Sequence, residues 1–323
     1  VPDIIPATVN ELDGWLEAET ARFSEGAYAV NTKRAYHSDW ALFVAWCIDR
    51  QLQVMPADPR VVVVYLGWLK DQGLKWSSID RRAVSIGQAH RTLGHPSPLE
   101  HPKVKVARRA IMNDLGTGNQ RRVKGILPAN LAEWLPQLPD TPHGHRDAAM
   151  FTMGLGGALR RSELAALRLE DISVEDRGMV IRIAKSKTDQ AGHGAEVWIW
   201  RGASDVTCPT VRWLAWLSDI SVDPLPNDAP AFRAFRGVHM LTRGISGRVV
   251  AEAVKRLVRL NGKDPAEYSG HSLRAGFVTA ADKARKTEAQ IMRQTRHKSR
   301  DMLDRYIRPE TGWTDNPSEG IGL

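Results

Sequence analysis

The sequence predicts two domains. A helical bundle spans residues 1–115, and a mainly α domain with a small β-sheet (α+β) spans 127–323, with a basic linker over 116–126. Three observations carry this. Apolar residues recur at three- and four-residue steps along most of the chain, the period of one helical face. Strict alternation, the period of a half-buried strand, marks one neighbouring pair of stretches, 179–184 and 195–200. Gly116, Gly118 and Asn119 fall in a strongly basic stretch between the two sets of helices. The length of 323 residues also suits about two domains.

Residues 11–22 read as an opening helix. Asn31 and Thr32 offer an N-cap for a stronger one, with Tyr36, Trp40, Phe43, Val44, Cys47 and Ile48 on a single face. Pro56 and Pro59 break the chain, residues 61–70 resume it with Leu66 and Leu69 inward, and Gly73 ends it. Ser77 and Ser78 can cap a helix running to 93, closed by Gly94, Pro96 and Pro98. In the second domain Asn130 can cap a helix from 131, and residues 146–155 form an apolar helix that Gly156 and Gly157 interrupt. Ser162 reads as the cap of a short helix over 163–169, which leaves Arg160 in a tight turn. The alternating stretches form a hairpin about a polar loop at 185–194, and helices follow near 208–218, 246–260, 271–285, 287–295 and 299–307. The tail over 309–323 carries Pro309, Gly312, Pro317, Gly320 and Gly322 and reads as irregular.

Lys and Arg number 45 against 37 Asp and Glu, a net charge of +8. That balance is compatible with nucleic acid or an anionic membrane surface. Its clustering is more informative. Arg81, Arg82 and Arg91 lie on one helix, and Lys103, Lys105, Arg108, Arg109, Arg121, Arg122 and Lys124 follow with only Asp114 against them. Such a stretch can track a phosphate backbone, or simply stay solvated. Arg81, Arg82, Arg121, Arg122 and Lys124 are the candidate contacts. Two cysteines, Cys47 and Cys208, with no Cys-x-x-Cys pair, argue against a disulfide framework or a zinc site and fit a reducing cytoplasm. No apolar run of about 18 residues is present, so no membrane-spanning helix is expected. The opening residues lack the basic start and apolar run of a secretory signal.

Three motifs carry chemistry. In GHSLRAGF, residues 270–277, His271 and Arg274 are three apart at a helix start. A helix N-terminus favours a phosphate, Arg offers a planar fork for two of its oxygens, and His moves a proton near neutral pH. In TRHKSRDMLDRYIR, residues 295–308, Ser299 can cap a helix that buries Met302, Leu303 and Ile307 and brings Tyr306 nine residues after His297. A phenol is a workable nucleophile toward phosphorus when its proton is removed. In GALRRSELAAL, residues 157–167, Glu163 follows Arg160 by three and could aim it at a charged substrate. Alone, each motif describes an ordinary amphipathic helix.

Taken in order, LRRSEL, a hairpin loop with KSKTDQAG, SGHSLRAGF and TRHKSRDMLDRYIR resemble the tyrosine recombinases, or phage integrases, and their Cre-like branch in particular. The resemblance covers the second domain, and the helical first domain with its basic linker is similar in plan. It implies a C-shaped clamp on double-stranded DNA and a site-specific recombinase that cleaves and rejoins strands through a 3′-phosphotyrosyl intermediate, without metal or ATP and with no cofactor. Tyr306 would be the nucleophile. Arg160 and Arg274 would clamp the phosphate, with Arg161 a rival to Arg160. Lys187, or Lys185, would protonate the leaving 5′ oxygen. His271 would share proton transfer with Tyr306, His297 would hydrogen-bond a phosphate oxygen, and Glu163 would orient the site. The resemblance also implies a homo-tetramer on two DNA sites, no membrane, and a cytoplasmic protein of bacterial, phage or plasmid origin, and leaves open whether accessory DNA-bending proteins are needed. Integration, excision and dimer resolution all remain open. So do a type IB topoisomerase-like DNA relaxation and a DNA-binding protein without catalysis. The chain departs from the family pattern at Ala158, where many relatives have Gly, and in the Gly- and Pro-containing tail, where Trp313, Ile321 and Leu323 could anchor an extended segment on a partner.

Overall fold

The computed structural model describes residues 30–116, 123–184, 194–221, 225–297 and 300. The chain divides into two compact units, Val1–Gln120 and Arg121–Leu323. The opening stretch 11–22, the loop 185–193, most of 299–307 and the tail lie outside the described residues.

The described part of the first unit is four helices: α1 (Val30–Asp49), α2 (Pro59–Asp71), α3 (Trp76–Thr92) and α4 (Pro102–Leu115). Their core gathers Trp40, Phe43, Val44 and Cys47 from α1, Val62, Tyr65, Leu66 and Leu69 from α2, Ile79 and Ile86 from α3, and Val104 and Ile111 from α4. Each fully buried side chain of this size contributes about 1.5–3 kcal/mol. The expected inner face of α1 needs one correction. Ile48 is 39% exposed, and Trp46 is buried instead, its ring 5.1 Å from that of Tyr65. Asp58 caps α2 by accepting from the Arg60 N–H at 2.7 Å, with Pro59 at the first helical position. Ser77 and Ser78 do not cap α3, which begins at Trp76 after Lys75. The fourth helix is a further departure: Lys103, Lys105, Arg108 and Arg109 lie on α4, inside the folded unit. Only Val104 and Ile111 of α4 are buried, so its apolar stripe is too thin to announce a helix among so many cations.

His90 on α3 ties α1's neighbouring loop to this core. The Ala57 N–H donates to His90 Nε2 at 2.9 Å, which fixes the proton on Nδ1, and Nδ1 donates to the Ile86 carbonyl at 2.8 Å. Burial pushes the imidazole below its usual 6.5. The folded pKa is therefore the lower one, so the unfolded chain binds more protons in acid, and stability is lost as pH falls below about 6.5. Hydrogen exchange at the Ala57 amide, corrected for its intrinsic rate, should lose protection between about pH 7 and about pH 5. His90→Gln should flatten that loss; unchanged protection in wild type would remove His90 as its cause.

The second unit contains α5 (Pro128–Trp134), α6 (Pro142–Gly156), α7 (Arg161–Ala166), β1 (Ile172–Glu175), β2 (Gly178–Ile183), β3 (Ala195–Trp200), α8 (Pro209–Ile220), β4 (Arg233–Arg236), β5 (His239–Gly244), α9 (Gly247–Leu260), α10 (Ser272–Lys283) and α11 (Glu288–Thr295). The expected hairpin is β2–β3, paired antiparallel with Ile181 opposite Val197. It gains a third strand, β1, with Ile172 opposite Ile181, and a separate β4–β5 hairpin stands apart from it. Neither addition alternates in sequence: β1 is exposed beyond Ile172, and β4 and β5 carry Arg and His where apolar residues would mark a strand. Helix α6 is central and buried on all sides, including Ala149, Met150, Phe151 and Met153. It starts before the expected 146 because Pro142 opens it and the Thr141 hydroxyl accepts from the Gly144 N–H at 3.3 Å. Asn130 acts from inside α5, its side chain accepting from the Leu127 N–H at 2.9 Å, so the helix starts at Pro128. The short helix also differs: Arg160, not Ser162, is its capping residue.

The glycine of SLRAGF has a packing reason. The Ile126 N–H donates to the Ser272 carbonyl at 2.9 Å, laying the extended segment that opens the unit on α10. A Cβ at Gly276 would meet the Ile126 carbonyl oxygen at 1.8 Å. Backbone on both sides leaves no flexible atom to yield, so Gly276→Ala should cost about 1–3 kcal/mol in denaturant unfolding. A variant as stable as wild type would show that this segment lifts freely.

Candidate active site

Three chain breaks converge in the second unit. The first is the turn between α6 and α7. Ala158 there has φ +46°, a conformation that Gly takes without steric cost. Arg160 follows with φ −74° and ψ 149°, and its N–H donates to Glu163 Oε2 at 2.8 Å. Its Nη1 donates to Glu163 Oε1 at 2.6 Å. Glu163 thus reaches back from the third position of α7, as capping glutamates do, and fixes both the main chain and the side chain of Arg160. Arg161 is exposed, its aliphatic stem lying near Gly247 and Gly270.

The second is the start of α10. His271 occupies the capping position and is exposed, its N–H donating to Ser269 Oγ at 3.1 Å. Arg274, one turn on, is 2% exposed. Its Nη1 donates to the Ala158 carbonyl at 2.7 Å and its Nη2 to the Thr295 carbonyl. This single side chain therefore pins the α6–α7 turn to the end of α11.

The third is that end. Thr295 Oγ1 lies 3.1 Å from His297 Nδ1, with His297 buried. Arg296 between them turns its side chain back, donating from Nη2 to Glu163 Oε2 at 2.7 Å and from Nη1 to the Gln294 carbonyl at 3.1 Å. Gln294 Nε2 also donates to the Gly156 and Trp198 carbonyls, each at 3.0 Å, tying α11 to α6 and β3.

Arg160 and Arg296 face a single carboxylate, Glu163, and Arg274 is bonded to the Ala158 carbonyl of the same turn. Burial raises the Glu163 pKa, but Arg296 and then Arg160 outweigh it and hold the carboxyl below its usual range. Burial, followed by Arg274, Arg160 and Arg296, pushes His297 down to about 4. His297 is therefore neutral near pH 7. It can donate to a ligand from the ring nitrogen that carries its one proton. A cluster with surplus positive charge, held by hydrogen bonds before any ligand arrives, suits stabilisation of a phosphoryl group.

The structure thus brings together Arg160, Glu163, Arg274 and His297, and sets His271 one turn from Arg274. Tyr306, Lys187, its alternative Lys185, Arg121 and Arg122 lie outside the described residues. Three expected DNA contacts are engaged within the protein. Arg81 donates to both oxygens of Asp39 at 2.7 and 3.1 Å, and Arg82 stands 3.6 Å from the same carboxylate. Lys124 Nζ lies 2.6 Å from Glu267 Oε2. Arg296 was not among the expected residues. Its signal is slight: an Arg in the left-handed position that ends a helix, where Gly or Asn is usual. No helix among the described residues is long and apolar enough to cross a membrane.

Residues 21–93 match the family model of the phage integrase N-terminal SAM-like domain. An integrase/recombinase xerD homolog of Selenomonas ruminantium is 35% identical over 307 residues, covering 93% of this chain and 88% of that protein. The recombinase cre of Escherichia phage P1 is 26% identical over 306 residues, covering 88% of this chain and 87% of its own. Among solved structures, the XerH site-specific recombinase bound to palindromic difH substrate superposes with a TM-score of 0.68 at 13% identity, covering 95% of this chain and 82% of that one. A helical SAM-like domain followed by a mainly helical domain with small antiparallel sheets is the arrangement expected from the sequence, and with near full-length identity of 35% to the bacterial relative, the chain belongs to the tyrosine recombinase, or phage integrase, family.

Proposed function

We propose that this protein is a site-specific recombinase that cleaves and rejoins duplex DNA through a 3′-phosphotyrosyl intermediate. The observation that carries it is the convergence of Arg160, held by Glu163, with Arg274 and His297, from three separate turns of the chain, in a protein 35% identical to a recombinase homolog over 307 residues. The Tyr306 oxygen attacks the scissile phosphorus while His271 takes part in moving its proton. A P–O bond to Tyr306 forms, and the bond to the 5′ oxygen breaks. Lys187 donates the proton that releases a 5′-hydroxyl. Arg160, Arg274 and His297 hold the non-bridging oxygens as charge develops on them. The bond energy stays in the phosphotyrosyl ester, so the 5′-hydroxyl of a partner strand can reverse the step without ATP.

The partner is double-stranded DNA bearing a specific site, gripped by both domains, with four copies of the chain acting on two sites. Support comes from relatives seen on such DNA: XerH on its difH substrate, and a lambda integrase dimer on a core site, the latter at TM-score 0.58 and 16% identity. A site can be selected from a random-sequence duplex library and rebuilt as a nicked suicide substrate. Wild type should form a covalent adduct on denaturing gels and should exchange two copies of the site in one plasmid. Absence of any adduct overturns the enzymatic reading. Relaxation of supercoils without exchange points to topoisomerase-like activity instead.

The linker enters as a phosphate contact. Replacing Arg121 and Arg122 by Ala should weaken binding to all duplexes and reduce the slope of log K against log salt by about 2, at roughly 0.9 per phosphate contact. Lys124→Ala should add less, since Glu267 already takes its charge. An unchanged slope would return the linker to a solvated role.

A further inference from the structure

Arg296 has no part in the chemistry above, yet it is built into the site at some conformational cost. Its backbone lies in the left-handed region, φ 58° and ψ 39°, and its side chain is only 11% exposed. Nη2 is 2.7 Å from Glu163 Oε2, while Arg160 Nη1 is 2.6 Å from Glu163 Oε1. One carboxylate therefore lies between two guanidiniums.

The charges make the arrangement meaningful. Arg160 with Glu163 alone is a neutral pair, and the carboxylate would cancel much of the attraction that Arg160 exerts on a phosphate a few ångströms away. Adding Arg296 leaves the group of three with one net positive charge. Glu163 can then fix the position of Arg160 without neutralising it. The side chains facing this carboxylate among the described residues are Arg296 and Arg160, and the same two guanidiniums with Arg274 surround His297.

We propose that Arg296 is a positioning residue for strand cleavage: it serves as the counter-ion of Glu163, so that Arg160 is held in place by that carboxylate yet keeps its charge for the scissile phosphate. The inference rests on the reading of Arg160 as a phosphate-binding residue.

Arg296→Gly is a suitable probe because glycine takes this backbone conformation freely, so the fold is retained while the guanidinium is lost. The variants to compare are Arg296→Gly, Arg296→Lys, Glu163→Gln and the double variant Arg296→Gly with Glu163→Gln. Each is checked by thermal unfolding, then by single-turnover adduct formation on the nicked duplex at saturating protein. Arg296→Gly should slow adduct formation about 10- to 100-fold, the scale of a misplaced or weakened catalytic contact, with duplex affinity within about twofold of wild type. Arg296→Lys, which keeps a cation there, should lose less. The decisive result is rescue. Glutamine keeps one oxygen acceptor for Arg160, with an amide nitrogen in place of the other oxygen, and carries no charge to cancel it, so the double variant should cleave faster than Arg296→Gly and within a few-fold of Glu163→Gln alone. A purely structural role would make the two losses multiply. Multiplied losses, or Arg296→Gly cleaving like wild type, overturn the inference while leaving the recombinase reading intact. Failure of wild type to form an adduct, or an adduct persisting in Tyr306→Phe, overturns the reading on which it rests.

Discussion

Replacing Tyr306 by Phe is expected to abolish the covalent protein–DNA adduct and all strand exchange, while the affinity for duplex DNA stays within about twofold of wild type. The substitution deletes one oxygen. That oxygen is the atom that bonds to phosphorus in the proposed step, and it is the one phenol in the three motifs, whose other hydroxyls are the aliphatic ones of Ser162, Ser272, Thr295 and Ser299. Both cysteines are buried, and burial pushes Cys47 up to about 11, away from any thiolate role. The loss should therefore be at least about a thousandfold, more than about 4 kcal/mol of transition-state stabilisation. Binding is spared because it draws on cationic contacts along the backbone of the duplex, each worth more to affinity than a single phenol. The two quantities are read on one nicked substrate, adduct on a denaturing gel and complex on a native one. An adduct of undiminished yield in Tyr306→Phe would assign the nucleophile to another residue.

Much of this site is legible in the sequence, because its residues come in short motifs with fixed spacing. Glu163 follows Arg160 by three residues, and the resemblance to the family's spacing ranks Arg160 above Arg161. In the structure Glu163 holds both the N–H and the guanidinium of Arg160. Arg274 and His297 are equally legible as types. Their surroundings are not: that Arg274 is pinned between the Ala158 and Thr295 carbonyls depends on three segments meeting in space. Arg296 stays hidden for the same reason. Its importance lies in a contact with a residue more than a hundred positions away, and no local pattern encodes that.

The fold divides in a similar way. Helices with a wide apolar stripe, such as α1 and α2, can be read directly. Helix α4 cannot, because two buried residues are all that separate it from a basic linker. Charge is the least legible quantity. A run of Lys and Arg looks like a nucleic-acid surface, yet Arg81 and Arg82 are directed to Asp39, Arg108 stands 2.5 Å from Asp80, and Lys124 is paired with Glu267. Sequence counts the cations but does not reveal which of them the fold has already used.

Glu163 joins stability to function, and its removal is the largest stability change expected in the second unit. Glu163→Leu keeps the approximate volume but leaves Arg160 and Arg296, 12% and 11% exposed, without their shared carboxylate. Removing one partner from a buried ion pair costs about 3–5 kcal/mol, because the remaining charge is stranded away from water. The Arg160 N–H would also lose the oxygen that caps α7. Glu163→Gln, which retains one oxygen acceptor for these donors, should cost less, about 1–3 kcal/mol. The ordering Leu worse than Gln is measured by denaturant unfolding of the full chain. Adding Arg296→Gly to Glu163→Leu should restore part of the lost stability, since one stranded guanidinium disappears and the left-handed backbone is relaxed with it. If Glu163→Leu unfolds at the wild-type midpoint, the two guanidiniums must reach solvent without their carboxylate, and the buried three-member group would not be what orders the turn at Arg160.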